Sequence, residues 1–513
     1  MRPFRSLVTA TVAFAVAATP TLAAAGPSGE SVKLDDLIAV AVQQSAGLAK
    51  ARADRSIAKA EATAAGADQD WITSAEVGWN KTVVGANADY QPVQLVEDAK
   101  VTGTLGVAKK LPTGGSVSAQ VGLAQKTQTY DIDANLFTVA DGMDIQYVDN
   151  GQASAQIKVE QPLVRGFGVA AGGVQRRARA AAEGANVKAQ LAAEELIRDL
   201  VSSYWELAYA AQELQVRKRS LELANTQFQT TRDAKRAGAV ADSALRAVEY
   251  QLAVREEALL RAQVEVESRS LELRRVSGLE VSRRDLVLIP GETFEIEDGD
   301  ESRWNIDDAL DAALADNPRL QVLLAEKRAA DVDVDLARDA ARPQVNVALE
   351  GTLFGDGPST GEALGALGAG GGYMVGANLS FQFEIGGSRR AATEAATLRR
   401  TKVVIDAQDL RRIVEVEIVQ AVHAVTSARQ RVTLAEKSID VANVTVQAEI
   451  ANFRAARSSN FDVFQRQDEL VESELRKARS IADFHIAVAR LEFLTGTLLE
   501  RYGVEVRSSK RGR

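Results

Sequence analysis

The chain of 513 residues contains no cysteine and only two histidines, His423 and His485. The lack of cysteine excludes disulfides, cysteine-based zinc sites and thiol catalysis. Both histidines lie within predicted helices, where we expect them to be surface or packing residues. No Ser/His/Asp set, phosphate loop or metal cluster can be recognised in the sequence. We therefore predict a protein that is not an enzyme and that holds no cofactor or metal.

Aromatic residues are also few, at 5%, whereas hydrophobic residues make up 46% and charged residues 26%. This composition favours a folded chain of long, closely packed helices over an aromatic-rich globular core. The net charge of −9 argues against a protein that binds nucleic acid by neutralising its phosphates.

Residues 1–25 are predicted to be a signal peptide. Arg2 and Arg5 precede an apolar stretch from 7 to 18, and three alanines at 23–25 form a small-residue cleavage site. The alternative is an N-terminal membrane anchor, against which the shortness of the stretch and Pro20 argue. No later segment has eighteen consecutive apolar residues, so we expect an exported chain without a transmembrane helix.

Two long tracts contain no proline and almost no glycine. Proline is absent between Pro162 and Pro290 and after Pro358. Since helix interiors exclude both residue types, the tracts predict long helices over about 170–236 and 388–455. At about 1.5 Å per residue, each helix would span on the order of 100 Å, which suits a rod or a tunnel wall.

Apolar residues recur every seven positions in both tracts, which indicates coiled-coil packing. These residues are Leu200, Leu207, Leu214, Leu221 and Phe228 in the first tract and Ile418, Val425, Val432, Ile439 and Val446 in the second. Each tract folds back once to form a hairpin. Asp242 and Asn460 are predicted to be the N-caps of the returning helices.

Glycines concentrate over 71–173 and 343–387. Within these stretches lie two windows, 71–162 and 343–385, in which apolar and small polar residues alternate. Strict alternation predicts strands with one apolar and one polar face. The pattern fits a barrel with a wet lumen and a lipid-facing outside. It fits soluble hairpins with one buried face equally well. The first window contains four such segments, over 71–84, 100–110, 115–125 and 152–162.

The order of helix, strands and long helix hairpin occurs twice, which predicts an internal two-fold repeat. The first repeat covers 26–279, with its hairpin at 170–277, and the second covers 306–500, with its hairpin at 388–495. Residues 280–305 link the repeats, and the basic end at 501–513 is expected to be a disordered tail.

Three strings have the order and spacing of motifs in one known family. They are Ala309-Leu310, Ala313-Leu314, Asn317-Pro318 and Leu320 in an opening helix; Lys110 to Ser118 in a turn and strand; and Gln161 to Gly168 at a junction into a long helix. With the duplication and the long helices, these strings resemble the TolC family of outer-membrane efflux proteins, the outer membrane factors. The resemblance covers roughly residues 31–500.

The resemblance implies an α+β membrane protein and a homotrimer. Three copies would share a twelve-stranded transmembrane β-barrel in outer-membrane lipid of a Gram-negative bacterium, above an α-helical periplasmic tunnel. A periplasmic adaptor, also called a membrane fusion protein, and an inner-membrane pump would be its partners, in a tripartite efflux or type I secretion system. The first window has more strands than the family usually needs. The extra pair could lengthen the barrel or form an extracellular hairpin.

The resemblance also points to the helix tips as the functional region. An acidic ring that favours cations would use Asp462, with Gln465, Ser243 and Asp242 as further candidates. The alternative for Asp462 is a solvated acid at a helix start. The adaptor-contact tips would be Arg236, Ala237, Gly238, Ala239 and Val240 in the first repeat and Arg454, Ala455, Ala456, Arg457 and Ser458 in the second.

A competing interpretation is a periplasmic coiled-coil adaptor or scaffold of an export complex. An adaptor would normally have one hairpin flanked by compact β-domains. Two hairpins, each preceded by strands with lumen-type alternation, favour the exit duct.

Overall fold

A computed structural model describes residues 30–84, 93–132, 145–238, 240–280, 287–296, 305–455 and 457–504. The predicted signal peptide and most of the predicted basic tail lie outside these residues. The helices are α1 (Leu34–Gln44), α2 (Ala46–Gly66), α3 (Gly173–Arg236), α4 (Asp242–Ser277), α5 (Ile306–Asp316), α6 (Pro318–Ala340), α7 (Thr360–Ala366), α8 (Ser388–Arg454), α9 (Asn460–Thr495) and α10 (Leu498–Arg501). The strands are β1 (Glu30–Val32), β2 (Ile72–Val83), β3 (Val93–Lys110), β4 (Ser116–Ile132), β5 (Ile145–Pro162), β6 (Leu288–Pro290), β7 (Gln344–Gly357) and β8 (Gly372–Gln382).

Two long helix hairpins dominate the molecule. α3 has 64 residues and α8 has 67, and each returns through a helix of 36 residues, α4 or α9. The predicted long helices are thus confirmed to within a few residues. α3 packs against both α4 and α9, so it joins the two hairpins. No helix in the described part of the chain is long and apolar enough to cross a membrane.

The heptad stripes are confirmed as core midway along α3 and α8. Leu200 and Leu207 are fully buried, as are Ile418 and Val425. Alanines such as Ala421 and Ala428 are buried beside the second stripe and allow the helices to approach closely. Buried apolar side chains of this kind, rather than intrinsic helix propensity, hold helices of this length together.

All of the longer strands belong to one antiparallel sheet, in the order β2-β3-β4-β5-β7-β8. The β3–β4 hairpin is the extra pair, and it lies inside this sheet with a strand hydrogen-bonded on each side. A twelve-stranded barrel shared by three copies requires four strands from each chain. The sheet holds six strands, two more than that number requires of each chain.

The two faces of the sheet differ in chemistry, and the pairing register keeps each face continuous across all six strands. One face carries exposed apolar side chains, namely Val77, Trp79, Val101, Leu105, Val107, Val121, Ile157, Val159, Leu349, Leu353, Tyr373, Val375, Leu379 and Phe381. The other face carries mostly polar side chains, among them Ser74, Glu76, Asn80, Lys100, Gln120, Lys126, Gln156, Lys158, Glu350, Thr352, Asn378 and Ser380. The predicted alternation is therefore confirmed in three dimensions.

The short helix α7 covers one end of the apolar face. Its Ala363 is fully buried, and the N–H of Thr360 donates to Gln125 Oε1 at 3.1 Å. Gly151 and Gly355 lie beneath it, where a Cβ atom would collide with its backbone at 2.2 Å. Among the described residues, no other helix packs closely over this face.

The main hydrophobic core lies midway along the long helices. β1 pairs in parallel with β6, so the segment between the two hairpins is tied to the start of the described chain. The Trp205 ring stacks on His485 at 3.6 Å between centroids, and His485 Nε2 lies 3.0 Å from the carbonyl oxygen of Glu295. His485 is therefore a packing residue, and His423 is exposed, as predicted for both.

Candidate aperture at the helix tips

The second hairpin turns at residues 455–459, and Ser459 is the N-cap of α9. The Ser459 hydroxyl accepts from the N–H of Asp462, and Asp462 Oδ2 accepts from the N–H of Ser459 at 3.0 Å. This reciprocal pair is a capping box, which satisfies backbone donors that the first helical turn leaves free. The hydrogen bonds from Ser459 hold the pKa of Asp462 below its usual value. The exposed carboxylate therefore remains charged at neutral pH.

The prediction that Asn460 caps α9 is wrong. Asn460 is the first residue of the helix, and its side chain is buried against α3. Its Oδ1 accepts from Gln227 Nε2 at 2.5 Å and from Thr231 Oγ1 at 3.1 Å. The side chain that could have capped the helix instead joins the second hairpin to the first.

The first hairpin turns at residues 237–241, and here too the predicted cap is wrong. The N-cap of α4 is Ala241, which has no capping side chain, and Asp242 is the first helical residue. The Asp242 carboxylate is paired with Lys235, and Arg246 Nε lies 3.2 Å from its Oδ2. Lys235 is the larger cause, ahead of Arg246, of a pKa for Asp242 below its usual value. Two cations thus offset the charge of this acid.

The other predicted site residues lie where the hairpins turn, and most are exposed. Ser243 is exposed in the first turn of α4, and Gln465 is exposed in the second turn of α9. Gly238 has φ of +76°, in the left-handed region that glycine tolerates at a helix end. Of the predicted tips, Arg236, Ala237, Gly238 and Val240 and Arg454, Ala455, Arg457 and Ser458 are described, whereas Ala239 and Ala456 lie outside the described residues.

The sequence analysis missed Glu469, an acid beside the ring candidate Gln465. Gln465 Nε2 lies 3.5 Å from Glu469 Oε1, one turn further along α9. Asp462 and Glu469 are seven residues apart and share a face of the helix. Arg466 pairs with Glu469 at 2.9 Å, so Glu469 carries less free charge than Asp462.

A second feature that the sequence analysis missed is a buried arginine between the hairpins. Arg255 of α4 is 5% exposed, and its Nη1 donates to the backbone oxygen and Oγ of Ser220 and to Gln467 Oε1. Its Nη2 donates to Asp468 at 2.8 Å. Burial lowers its pKa. The heptad spacing of Val248, Arg255 and Ala262, with one polar residue at a core position, is the signal that could have revealed it.

The tips therefore place acids and cations on two adjacent helix starts, and α3 is shared between the hairpins. The described residues contain no group of three or more histidine or acidic side chains that could hold a metal ion. The arrangement can set a local electric field on passing ions, and its exposed turns offer a surface for another protein.

Residues 290–497 match the family model of outer membrane efflux proteins. The predicted resemblance to outer-membrane efflux proteins is confirmed over this part of the chain. No curated protein sequence matches the chain.

Solved structures of outer-membrane proteins share the fold of this chain. The outer membrane protein VceC of Vibrio cholerae is 14% identical, with a TM-score of 0.66 over 90% of this chain and 96% of that one. The CmeC outer membrane channel of Campylobacter jejuni is 14% identical, with a TM-score of 0.64 over 91% of this chain and 86% of that one. The MtrE outer membrane channel of Neisseria gonorrhoeae, in its open state, is 14% identical, with a TM-score of 0.59 over 91% and 89% of the two chains.

Proposed function

We propose that this protein is the exit duct of a tripartite efflux or type I secretion system. In this proposal, the six-stranded sheet lies in the outer membrane, and the two helix hairpins extend into the periplasm. Substrates enter at the helix tips from an adaptor and an inner-membrane pump and leave through the barrel. The observation that carries the proposal is the continuous, exposed apolar face of the sheet.

The height of that face supports a position in lipid. Trp71, just before β2, and Trp79, within β2, lie on this face eight residues apart, and both are exposed, by 62% and 71%. Eight residues of a tilted strand rise about 20 Å, close to the apolar band of outer-membrane barrels, which aromatic residues flank. The alternative of soluble hairpins, or of an adaptor's β-domains, requires a layer that buries this face. In the described chain only α7 lies on it.

The open edges of the sheet support an assembly of several copies. In the described residues β2 pairs only with β3, and β8 pairs only with β7. Unpaired strand edges are not tolerated within the hydrocarbon of a membrane, because their backbone groups have no water to bond. We propose that three copies close one barrel and that their hairpins form one tunnel, as the resemblance to the TolC family implies.

The proposal also assigns a role to the tips. Three copies of Asp462 around the tunnel axis would form a ring of carboxylates that remain charged at neutral pH. Such a ring attracts cations and repels anions. The exposed turns, which include Arg236 and Gly238 in the first hairpin and Arg454 and Ser458 in the second, would contact the adaptor.

The proposal predicts a trimeric channel in outer-membrane fractions. Chemical cross-linking should give a band near three times the mass of the mature chain, and the purified protein should conduct ions across a planar lipid bilayer. A soluble monomer that leaves bilayers sealed would contradict the proposal.

Replacing Asp462 by asparagine is expected to lower the ratio of cation to anion permeability. Asparagine removes the charge but keeps a side-chain oxygen that can accept from Ser459. The ratio is measured from the reversal potential in a salt gradient across the bilayer. The matched control is Ser459→Ala, which weakens the cap and leaves the charge, so its permeability ratio should stay unchanged. If Asp462→Asn leaves the ratio unchanged, Asp462 is only a helix-start acid.

A further inference from the structure

We propose that β2 of one copy pairs with β8 of the next, so that three copies close an eighteen-stranded barrel rather than one of twelve strands. The inference rests on the proposed trimeric duct and defines the width of its outlet. It follows from the position of the β3–β4 hairpin inside the sheet, together with the two open edges.

The β3–β4 hairpin is an integral part of the sheet. β3 pairs with β2 over all twelve residues of that strand, from Ile72↔Ala108 to Val83↔Glu97. β4 pairs with β5 from Ser116↔Glu160 to Asp131↔Ile145. Folding the hairpin out of the barrel would break both ladders and leave their backbone groups unpaired, which is costly at membrane depth.

The same hairpin contributes to the lipid-facing surface. Its Val101, Leu105 and Val121 lie on the apolar face in line with Trp79 and Ile157 of the flanking strands. A hairpin in extracellular water is not expected to carry an apolar stripe that is level with the apolar residues of the flanking strands. The stripe therefore places β3 and β4 in the wall of the barrel.

The strand directions allow the units to join. Neighbours alternate in direction across six strands, so β2 and β8 run in opposite directions. An edge-to-edge contact between copies is therefore antiparallel, like every other pair in the sheet. The two edges are of similar length, with 12 residues in β2 and 11 in β8.

The number of strands sets the width of the outlet. Eighteen strands about 4.8 Å apart and tilted by about 40° form a ring roughly 36 Å across the backbone, against roughly 24 Å for twelve strands. Barrels of sixteen to eighteen strands enclose an aqueous channel. The polar face that would line it carries ion pairs such as Lys126 with Asp98 and Lys158 with Glu160, which balance its charge. The outlet therefore admits wider solutes than a twelve-stranded barrel, without strong selection by charge.

Disulfide cross-linking can test the pairing directly, because the natural chain has no cysteine. Ser74 of β2 and Asn378 and Ser380 of β8 lie on the polar face. Ser74→Cys is combined in turn with Asn378→Cys and with Ser380→Cys, since strand tilt shifts the register between copies. After oxidation in outer-membrane vesicles, at least one combination should give disulfide-linked dimers and trimers.

Two double-cysteine variants within one chain distinguish eighteen strands from twelve. Gln120 and Gln156 face each other across β4 and β5, so Gln120→Cys with Gln156→Cys should form a disulfide within the chain. Ser74→Cys with Gln156→Cys should not, because β3 and β4 separate these residues. If the pair at 74 and 156 forms a disulfide and the pair at 120 and 156 does not, while chemical cross-linking still gives trimers, the duct has twelve strands. That outcome would overturn this inference but not the proposed function. The absence of trimers from every cross-linking experiment would overturn the proposed function as well.

Discussion

Replacing Glu194 by glutamine is expected to stabilise the protein at pH 8 and to change its stability little at pH 5. Glu194 lies on α3 with 3% of its surface exposed, near the C-terminal turn of the chain. Burial raises its pKa to about 7, partly offset by a hydrogen bond from the backbone of Leu499 and reinforced by the nearby charge of Glu492. Glu492 is itself paired with Arg501.

The direction of the pH effect follows from proton linkage. An acid with a pKa near 4.5 in the unfolded chain and about 7 in the folded protein binds more protons when folded between these pH values. The free energy of unfolding therefore falls as the pH rises from about 4.5 to 7, by about 3 kcal/mol in total. Glutamine resembles the protonated acid, so Glu194→Gln should restore most of this energy at pH 8.

The experiment compares the melting temperatures of the wild type and Glu194→Gln at pH 5 and pH 8, from the loss of helical circular dichroism. We expect a higher melting temperature for the variant at pH 8 and nearly equal values at pH 5. The control is Glu256→Gln, which removes a carboxylate from an exposed position on α4 and should shift neither value. A destabilised variant at pH 8 would show that the buried carboxylate is charged and paired.

The sequence predicts the parts of this fold that depend on local patterns. The absence of proline and glycine located the long helices, because those residues interrupt helices wherever they occur. Alternation located the strands and the chemistry of their faces, because side chains on a strand point to opposite sides in turn. Neither pattern depends on how the elements are arranged in space.

The features that the sequence did not predict depend on contacts between distant segments. Ser459 and Asn460 are adjacent and both are good N-caps. Ser459 became the cap because Gln227 and Thr231, more than two hundred residues away, bind the side chain of Asn460. The place of the β3–β4 hairpin within the sheet is likewise a matter of pairing partners. A strand's alternation shows which face is apolar but not which strand lies beside it.

Replacing Arg255 by alanine is expected to destabilise the tip-proximal half of the hairpins by about 3 kcal/mol, the range measured when one member of a buried charged network is removed. The change leaves two buried side-chain oxygens, Ser220 Oγ and Gln467 Oε1, without this donor. It also removes the guanidinium that lies 5.1 Å from the centroid of the Phe464 ring. Each buried polar atom left unpaired adds to the loss.

A substitution of Asp468 tests the ion pair separately from the buried hydrogen bonds of Arg255. The Asp468 side chain is 63% exposed, so water can replace its contact with Arg255. Asparagine also keeps an oxygen that can accept from Arg255 Nη2, so Asp468→Asn should cost less than Arg255→Ala. Hydrogen exchange of the amides of α4 near Arg255 measures both variants, and Arg255→Ala should accelerate it far more than Asp468→Asn. Equal acceleration would mean that the ion pair, rather than the buried hydrogen bonds, joins α4 to α9. Because Arg255 bonds to α3 and α9 at once, the expected result makes its buried hydrogen bonds a link between the two hairpins.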